Sequence, residues 1–468
     1  MKFFKRTALG FAILLVVIAV VVLVGEAMFH NAGTQQLEEV SARINAEEPG
    51  WRLADIEAAR QAAMPKDNEN SAPVVIKLQA SLPAQWLVEE PLSGPTTNHT
   101  PSFLQTIWML QGRELTAKVR DDARQRLLQP ELLKQTGGYY PVKIPENPFS
   151  TLLPHVQKVR EVTALLGYDA RFSALEGKPD RGIGSARAGL VAAKSLGDEP
   201  FLISQLVRIA CDEVAVNSAL QVLAWGQPKQ GLAELQAELR TEADFPWFLV
   251  GLRGERSILD KTFRGLESGT IPMNDFFNLI DGQQAQGPGA IARAGFKLYQ
   301  GFIPGDHAKA LETITAYIEA SKLPPHEQLA AIKAVPIPPG PPESYRFLVT
   351  RLILPACEKV ASAGIHTRAR LLAGSVAMAC ERFRIAKGRW PNSLDEIPKT
   401  ILPEIPIDPY DGLPLRYRKL ADGVAIYSVG DGGERSMEQR RDSGDPLAEI
   451  GWGWKLWNPE LRGIPRKD

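Results

Sequence analysis

Residues 152–200 read LLPHVQKVREVTALLGYDARFSALEGKPDRGIGSARAGLVAAKSLGDEP. Leu152, Val156, Val159, Leu166 and Ala170 recur at helical spacing and fall on one face. Glu176-Gly177-Lys178-Pro179-Asp180 then supplies a Gly stop and a Pro/Asp restart. A second helix runs to Leu196-Gly197, and Asp198-Glu199-Pro200 restarts the chain again. Leu202, Leu206, Ile209, Val216, Leu220 and Leu223 mark a third helix. Long apolar-faced helices joined by tight capped turns make the body mainly α.

Outward from this stretch, helical spacing continues through 229–268, 274–299 and 306–334, and precedes it over 102–133. Residues 31–65 begin as a polar helix, which Pro49-Gly50 breaks before a short helix from Asp55 to Ala63. Residues 66–101 are Pro-punctuated, with a strand candidate at Val74-Val75-Ile76-Lys77-Leu78. Asn98-His99-Thr100 is a glycosylation sequon only in a compartment that uses one. A Pro-rich joint covers 137–148. Pro336-Ile337-Pro338-Pro339-Gly340-Pro341-Pro342 is a stiff linker and the expected main domain boundary. Beyond it Ile365, Ala369, Leu372, Val376, Ala379 and Phe383 give one long helix a single apolar face, ended by Gly388. The helical run resembles a tetratricopeptide-type array of helical hairpins, without a strict repeat period. The expected organisation is a tail and anchor at 1–30, a mixed region at 31–148, a helical array at 149–335, a linker at 336–344, and a long helix with a small α+β module at 345–468.

Thr7 to Gly25, TALGFAILLVVIAVVVLVG, contains no charge. As a helix it spans roughly 28 Å, close to the hydrocarbon thickness of a bilayer. Lys2, Lys5 and Arg6 precede it and Glu26 follows. The positive-inside rule therefore predicts a single pass through the inner (cytoplasmic) membrane, with the N-terminus cytoplasmic and the body extracytoplasmic. A cleaved signal peptide would carry a shorter apolar core, although Gly25-Glu26-Ala27 offers small residues for cleavage. Lys5-Arg6 ahead of Gly10-Phe11 suggests a prepilin junction, but Leu15 stands where such a chain needs an acid.

The 468 residues carry 54 Lys plus Arg against 54 Asp plus Glu. That balance offers no electrostatic drive toward nucleic acid, and none is expected as a partner. A hydrophobic content of 44% suffices for packed cores. Cys211, Cys357 and Cys380 are scattered singly, which excludes a CxxC zinc or redox motif and favours burial over a Cys357–Cys380 bridge.

After Gly388 the texture changes to strand. Leu415-Arg416-Tyr417-Arg418 and Val424 to Val429 flank Asp422-Gly423 and predict a β-hairpin. Glu381-Arg382-Phe383-Arg384, Gly388-Arg389-Trp390-Pro391, Asp408-Pro409-Tyr410-Asp411-Gly412 and Tyr427-Ser428-Val429-Gly430-Asp431-Gly432 together resemble the soluble part of the type II secretion major pseudopilin, over about residues 365–450. The whole layout resembles uncharacterised planctomycete-type membrane-anchored envelope proteins. The pseudopilin resemblance implies Ca²⁺ in the loop after the last matching strand, with Asp431, Asp442 and Asp445 as its ligands and Glu434 and Glu449 nearby. Arg435, Arg440 and Arg441 could instead neutralise that loop. In pseudopilins the membrane helix leads directly into the helix before the sheet, whereas here the helical body intervenes, which argues against assembly into a filament.

No catalytic residue or other cofactor-binding residue is identified: there is no GxSxG elbow, P-loop or GxGxxG. His326-Glu327 opens an HExxH motif that Ala330 leaves incomplete, and the six histidines show no ligand spacing. Each is expected at the surface or at a helix cap. Arg253-Gly254-Glu255-Arg256 is expected to form salt bridges inside the array. Trp452, Trp454 and Trp457 are expected to pack a terminal strand. Two functions fit this inventory. The favoured one is an extracytoplasmic interaction or scaffold protein of the cell envelope, with an envelope protein partner. The alternative is an extracytoplasmic hydrolase whose site, a carboxylate pair or a His–carboxylate pair in a deep pocket, is assembled from residues distant in sequence.

Overall fold

The Gly-Pro punctuation sets the geometry of the array. Helix α4 (Pro154–Leu175) ends where Gly177 takes φ +73°, a left-handed conformation that a side chain would strain. Lys178 N–H then donates back to Ser173 O at 2.7 Å, and Pro179 opens α5 (Pro179–Lys194) at a position that needs no donor. With α6 (Leu202–Trp225), these helices pack as antiparallel neighbours. Val159, Leu166 and Ala170 are buried as expected. Leu152 is 83% exposed, because it lies before the first helical residue and shares no face with them. The computed structural model describes residues 2–83, 116–134, 137–272, 299–338, 346–353, 356–431 and 452–463. It is mainly helical, with one small antiparallel sheet.

Upstream, α1 (Lys2–Glu47) is one unbroken helix, followed by α2 (Leu53–Ala62) and α3 (Ser71–Ala80). The strand expected at 74–78 is thus a helix. Asn70 caps it by accepting from Ala72 N–H at 3.1 Å, and burial of Val75 and Leu78 against α4 outweighs the β-branched preference. Downstream come α7 (Leu232–Ala243), α8 (Trp247–Ser268), α9 (Ile303–Ser321), α10 (Pro325–Lys333) and α11 (Ala356–Lys387).

Among the described residues no helix is long and apolar enough to cross a membrane. The side chains of 1–16 and 18–23, most of the apolar run, lie outside that description.

The hairpin forms as β1 (Arg416–Leu420) and β2 (Gly423–Ser428), with Leu420 opposite Gly423. Strand β3 (Trp452–Trp457) adds antiparallel to β2, which places β2 in the centre. Val424, Ile426, Trp454 and Leu456 face α11, while Ala425 and Tyr427 pack under Tyr410 and Leu420. Helix α11 has more than the single apolar face expected of it, since residues 371–381 are buried without exception. One cluster joins its Leu372, Val376 and Phe383 to Ile183, Leu220 and Leu239 of the array and to Val424 and Trp454 of the sheet. Hydrophobic packing therefore runs across the Pro-rich 336–342 stretch. The three cysteines are free and buried.

Candidate functional site

Helix α8 carries Asp260, Lys261 and Arg264 along one edge of an open cleft of about 450 Å³, which Arg52, Glu146, Ser268 and Thr270 also line. Arg52 comes from the turn after α1 and places Nη1 2.7 Å from Asp260 Oδ2. Arg264 Nε lies 3.0 Å from the same oxygen, and His307 Nε2 of α9 lies 3.2 Å from Oδ1. Burial alone would raise the Asp260 pKa. Hydrogen bonds from His307 and Arg264 outweigh it and hold the carboxyl below its ordinary range. His307 is fully buried, stacked on Phe263 with ring centroids 4.8 Å apart, and its Nδ1 is 3.2 Å from Glu267. Burial opposes its charge, but Asp260 and Glu267 together raise its pKa. An ionised Asp260 engaged on both oxygens is a poor base, and an imidazole walled off from the cleft cannot reach a substrate there. The arrangement acts as an ionic tie between α8, α9 and the end of α1. The same end is clamped by Glu48, which pairs with Arg253 and Arg256, so the salt bridges expected of 253–256 reach outside the array to α1.

A second cluster lies deeper. Glu242 accepts a fork from Arg208, at 2.6 Å from Nε and 3.0 Å from Nη2, with Lys194 at 3.9 Å. Asp212 hydrogen-bonds Glu242, while its Oδ1 has no hydrogen-bond partner. Burial first, then the charge of Glu242, pushes Asp212 well above the usual carboxylate range. Burial is overcome at Glu242 by Arg208, which holds it low. An acid pushed up beside a carboxylate held low is the pairing that general acid–base chemistry uses. The cavity beside them, lined by Trp247, Thr367 and Arg368, is about 10 Å³. That is room for about one water and not for an organic substrate.

Other buried charges are closed in the same way. Asp169 meets Arg120, Arg124, Arg181 and Ser185. His155 lies 2.8 Å from Glu199 and stacks on Tyr140. His155 and His307 thus depart from the surface or cap positions expected of them, each drawn inside by a carboxylate partner. His326, the start of the incomplete HExxH, sits beside Glu327 at 3.6 Å.

Two motifs of the C-terminal region are joined through Asp408, which is fully buried. Its oxygens accept from Tyr410 N–H at 3.0 Å, Ser428 Oγ at 2.8 Å and Val429 N–H at 2.9 Å. Glu381 holds the C-terminus, accepting forks from Arg384 and from Arg462, whose Nη1 and Nη2 lie 2.7 and 2.8 Å away. A groove of about 380 Å³ lies between α7, α11 and the loop at 400–406. Gln236, Arg240, Arg382, Ile401, Leu402 and Glu404 line it.

Of the expected calcium ligands, Asp431 is exposed and 3.5 Å from Lys333 Nζ. Asp442 and Asp445, with Glu434 and Glu449, lie outside the described residues, as does the sequon at 98–100. Among the described residues no three His, Cys, Asp or Glu side chains are grouped to hold a metal. Trp454 packs as expected, fully buried with Nε1 donating to Arg370 O at 3.0 Å. Compared with known proteins, the chain matches no family model, no curated protein and no solved structure.

Sequence reasoning did not single out Asp212, Glu242 or Asp260, and took Asp408 only as part of a motif. A usable signal existed for Asp260 and Arg264, an i,i+4 acid–base pair on an otherwise amphipathic helix. Nothing local marks Asp212 and Glu242, which stand on α6 and α7 and meet only in the fold.

Proposed function

We propose that the chain is a membrane-anchored interaction or scaffold protein of the cell envelope, with residues 7–25 in the cytoplasmic membrane and the body outside the cytoplasm. The observation that carries this is α1. Its first half holds the charge-free run behind Lys2, Lys5 and Arg6, and its second half is built into the body through Val40 and Ile44, which pack with Trp51 and Leu311. An envelope protein partner fits the groove at Gln236, Arg240 and Leu402, which pairs apolar wall with polar anchors. The tetratricopeptide-like body supplies the partner surface. The pseudopilin-like tail is read as a docking module, because Asp408 makes two of its motifs one unit. Asp431, Asp442 and Asp445 are proposed to hold Ca²⁺, which a calcium-dependent rise in the unfolding midpoint, lost in Asp431→Asn, would support.

A hydrolase is the second reading: Asp260 and His307 are the kind of pair it would use, but the partners of Asp260 and the burial of His307 weigh against it. The decisive experiment is proximity labelling of the full chain in native membranes after alkaline extraction. Retention in the membrane and a reproducible neighbour lost in Leu402→Asp are the expected result. Release by alkali, or a neighbour set unchanged by the groove variant, overturns the proposal.

A further inference from the structure

Taking the anchor at 7–25 as given, we infer that the end of the body nearest the span, built from Met28 and Phe29 of α1 and the head of α9, seats in the lipid headgroup layer. The body then stands on the bilayer and does not swing on a linker. Contact between α1 and α9 begins at once beyond the span: a Cβ on Gly301 would collide with the Glu26 side chain, and the rings of Phe29 and Phe302 are 5.2 Å apart. Phe29 is four residues past Gly25, about 6 Å along the helix axis, within the depth of a headgroup layer.

Three further contacts fix the direction of α9. Gly33 lies against Gly305, where a Cβ would fall 2.5 Å from the Gly305 nitrogen. Gln36 Nε2 is 3.3 Å from Glu312, and Val40 and Ile44 pack on Leu311. The two helices therefore run parallel, and the head of α9 points back toward the span. Helix continuity leaves no hinge between anchor and body.

The surface at that level suits lipid. Val24, Met28 and Phe29 are exposed at 54%, 68% and 47%. Aromatic and long apolar side chains favour the membrane–water boundary. Between residues 7 and 42 the chain carries no Lys or Arg, so this stretch of α1 offers apolar contact and no attraction to anionic lipid.

The test uses the full chain in phosphatidylcholine vesicles with nitroxides on added cysteines, the native thiols being buried. V17C probes the span, M28C and Q300C the seated end, and I203C the far end. Leu202 N–H is bound to Glu255 beside Arg256, which holds Glu48, about 34 Å along α1 from Gly25. The expected pattern is oxygen-accessible acyl depth at 17, headgroup depth at 28 and 300, and full exposure to an aqueous nickel probe at 203. Molar salt should leave it unchanged.

Position 300 decides, because it lies just before α9 and not on the anchor helix. Acyl depth at 17 with an aqueous 300 overturns the docking and leaves the anchor standing. A position 17 outside lipid overturns the anchor, and the docking with it. Protection of 300 from both probes means that protein covers this end, which also overturns the docking. Release of 300 into water by salt would replace apolar seating with an electrostatic contact.

Discussion

Two long helices, α1 and α11, are rich in apolar residues and answer differently to the question of what surrounds them. Helix α11 is punctuated by charges, and three of them find partners on other elements: Arg368 with Asp244, Arg370 with Glu213, Glu381 with Arg462. Those charges make the burial of α11 specific, since a buried ion left unpaired costs several kcal/mol. The run at 7–25 has no charge to satisfy, and among the described residues the side chains of α1 that pack on α9 belong to its second half. A helix meant for a protein core advertises its neighbours through polar groups. One meant for lipid has no such need.

The largest expected effect breaks the α11 side of this comparison. Glu381→Ala leaves Arg384 and Arg462 buried without their acceptor and should cost about 3–5 kcal/mol. Urea unfolding of the full chain in mild detergent measures it. A midpoint within error of the parent would mean that Glu381 does not hold the C-terminus.

The α1 side is probed by two glycines. Ala at Gly33 meets the Gly305 backbone, whereas Ala at Gly305 sits 3.8 Å from Gly33 Cα in ordinary contact. Both gain helix propensity, so the pair isolates the clash. Gly33→Ala should be about 1–3 kcal/mol less stable than Gly305→Ala. Equal midpoints would mean that the two helices do not touch there.

Acidity offers a third handle, through the tie between α8 and α9. The pKa of His307 is raised above its ordinary 6.5 in the folded state. Its contribution is therefore fully present below 6.5 and is lost as pH rises through the folded value, at about 1.4 kcal/mol for each unit separating the two. Unfolding midpoints should fall on going from pH 6 upward, and His307→Gln should flatten that slope. The smallest effect is Leu152→Ser, expected within about 0.5 kcal/mol because the side chain packs on nothing. By comparison, Leu166→Ser inside the array should be severe, since it opens a cavity and buries a hydroxyl.

Local signals were strong wherever the backbone itself makes the decision. Gly177 and Gly388 stop helices, Pro179 starts one, and the alternation around Asp422-Gly423 is a hairpin. Val74-Val75-Ile76 misled because β-branched residues prefer strands in isolation, while the cap at Asn70 and packing on α4 prevail here. Of the candidate site, single residues such as Arg253 and Arg256 stood out as polar features, but their partner Glu48 lies 205 and 208 positions away. The Asp212–Glu242 pair left no trace, because a buried acid in sequence looks like an exposed one.

By itself, the sequence determined that this chain is mainly helical, that its helices stop and restart at 177–179, and that 7–25 is a charge-free run long enough to span a bilayer. These are properties of periodicity and composition, which act over a few residues. Only the tertiary structure decided that α11 is buried on every side over 371–381, between array and sheet, that every buried carboxylate described above has a specific partner, and that the end of α1 is clamped to α8 and α9. Burial and ion pairing depend on residues that meet after hundreds of positions of intervening chain, and no local spacing encodes that meeting.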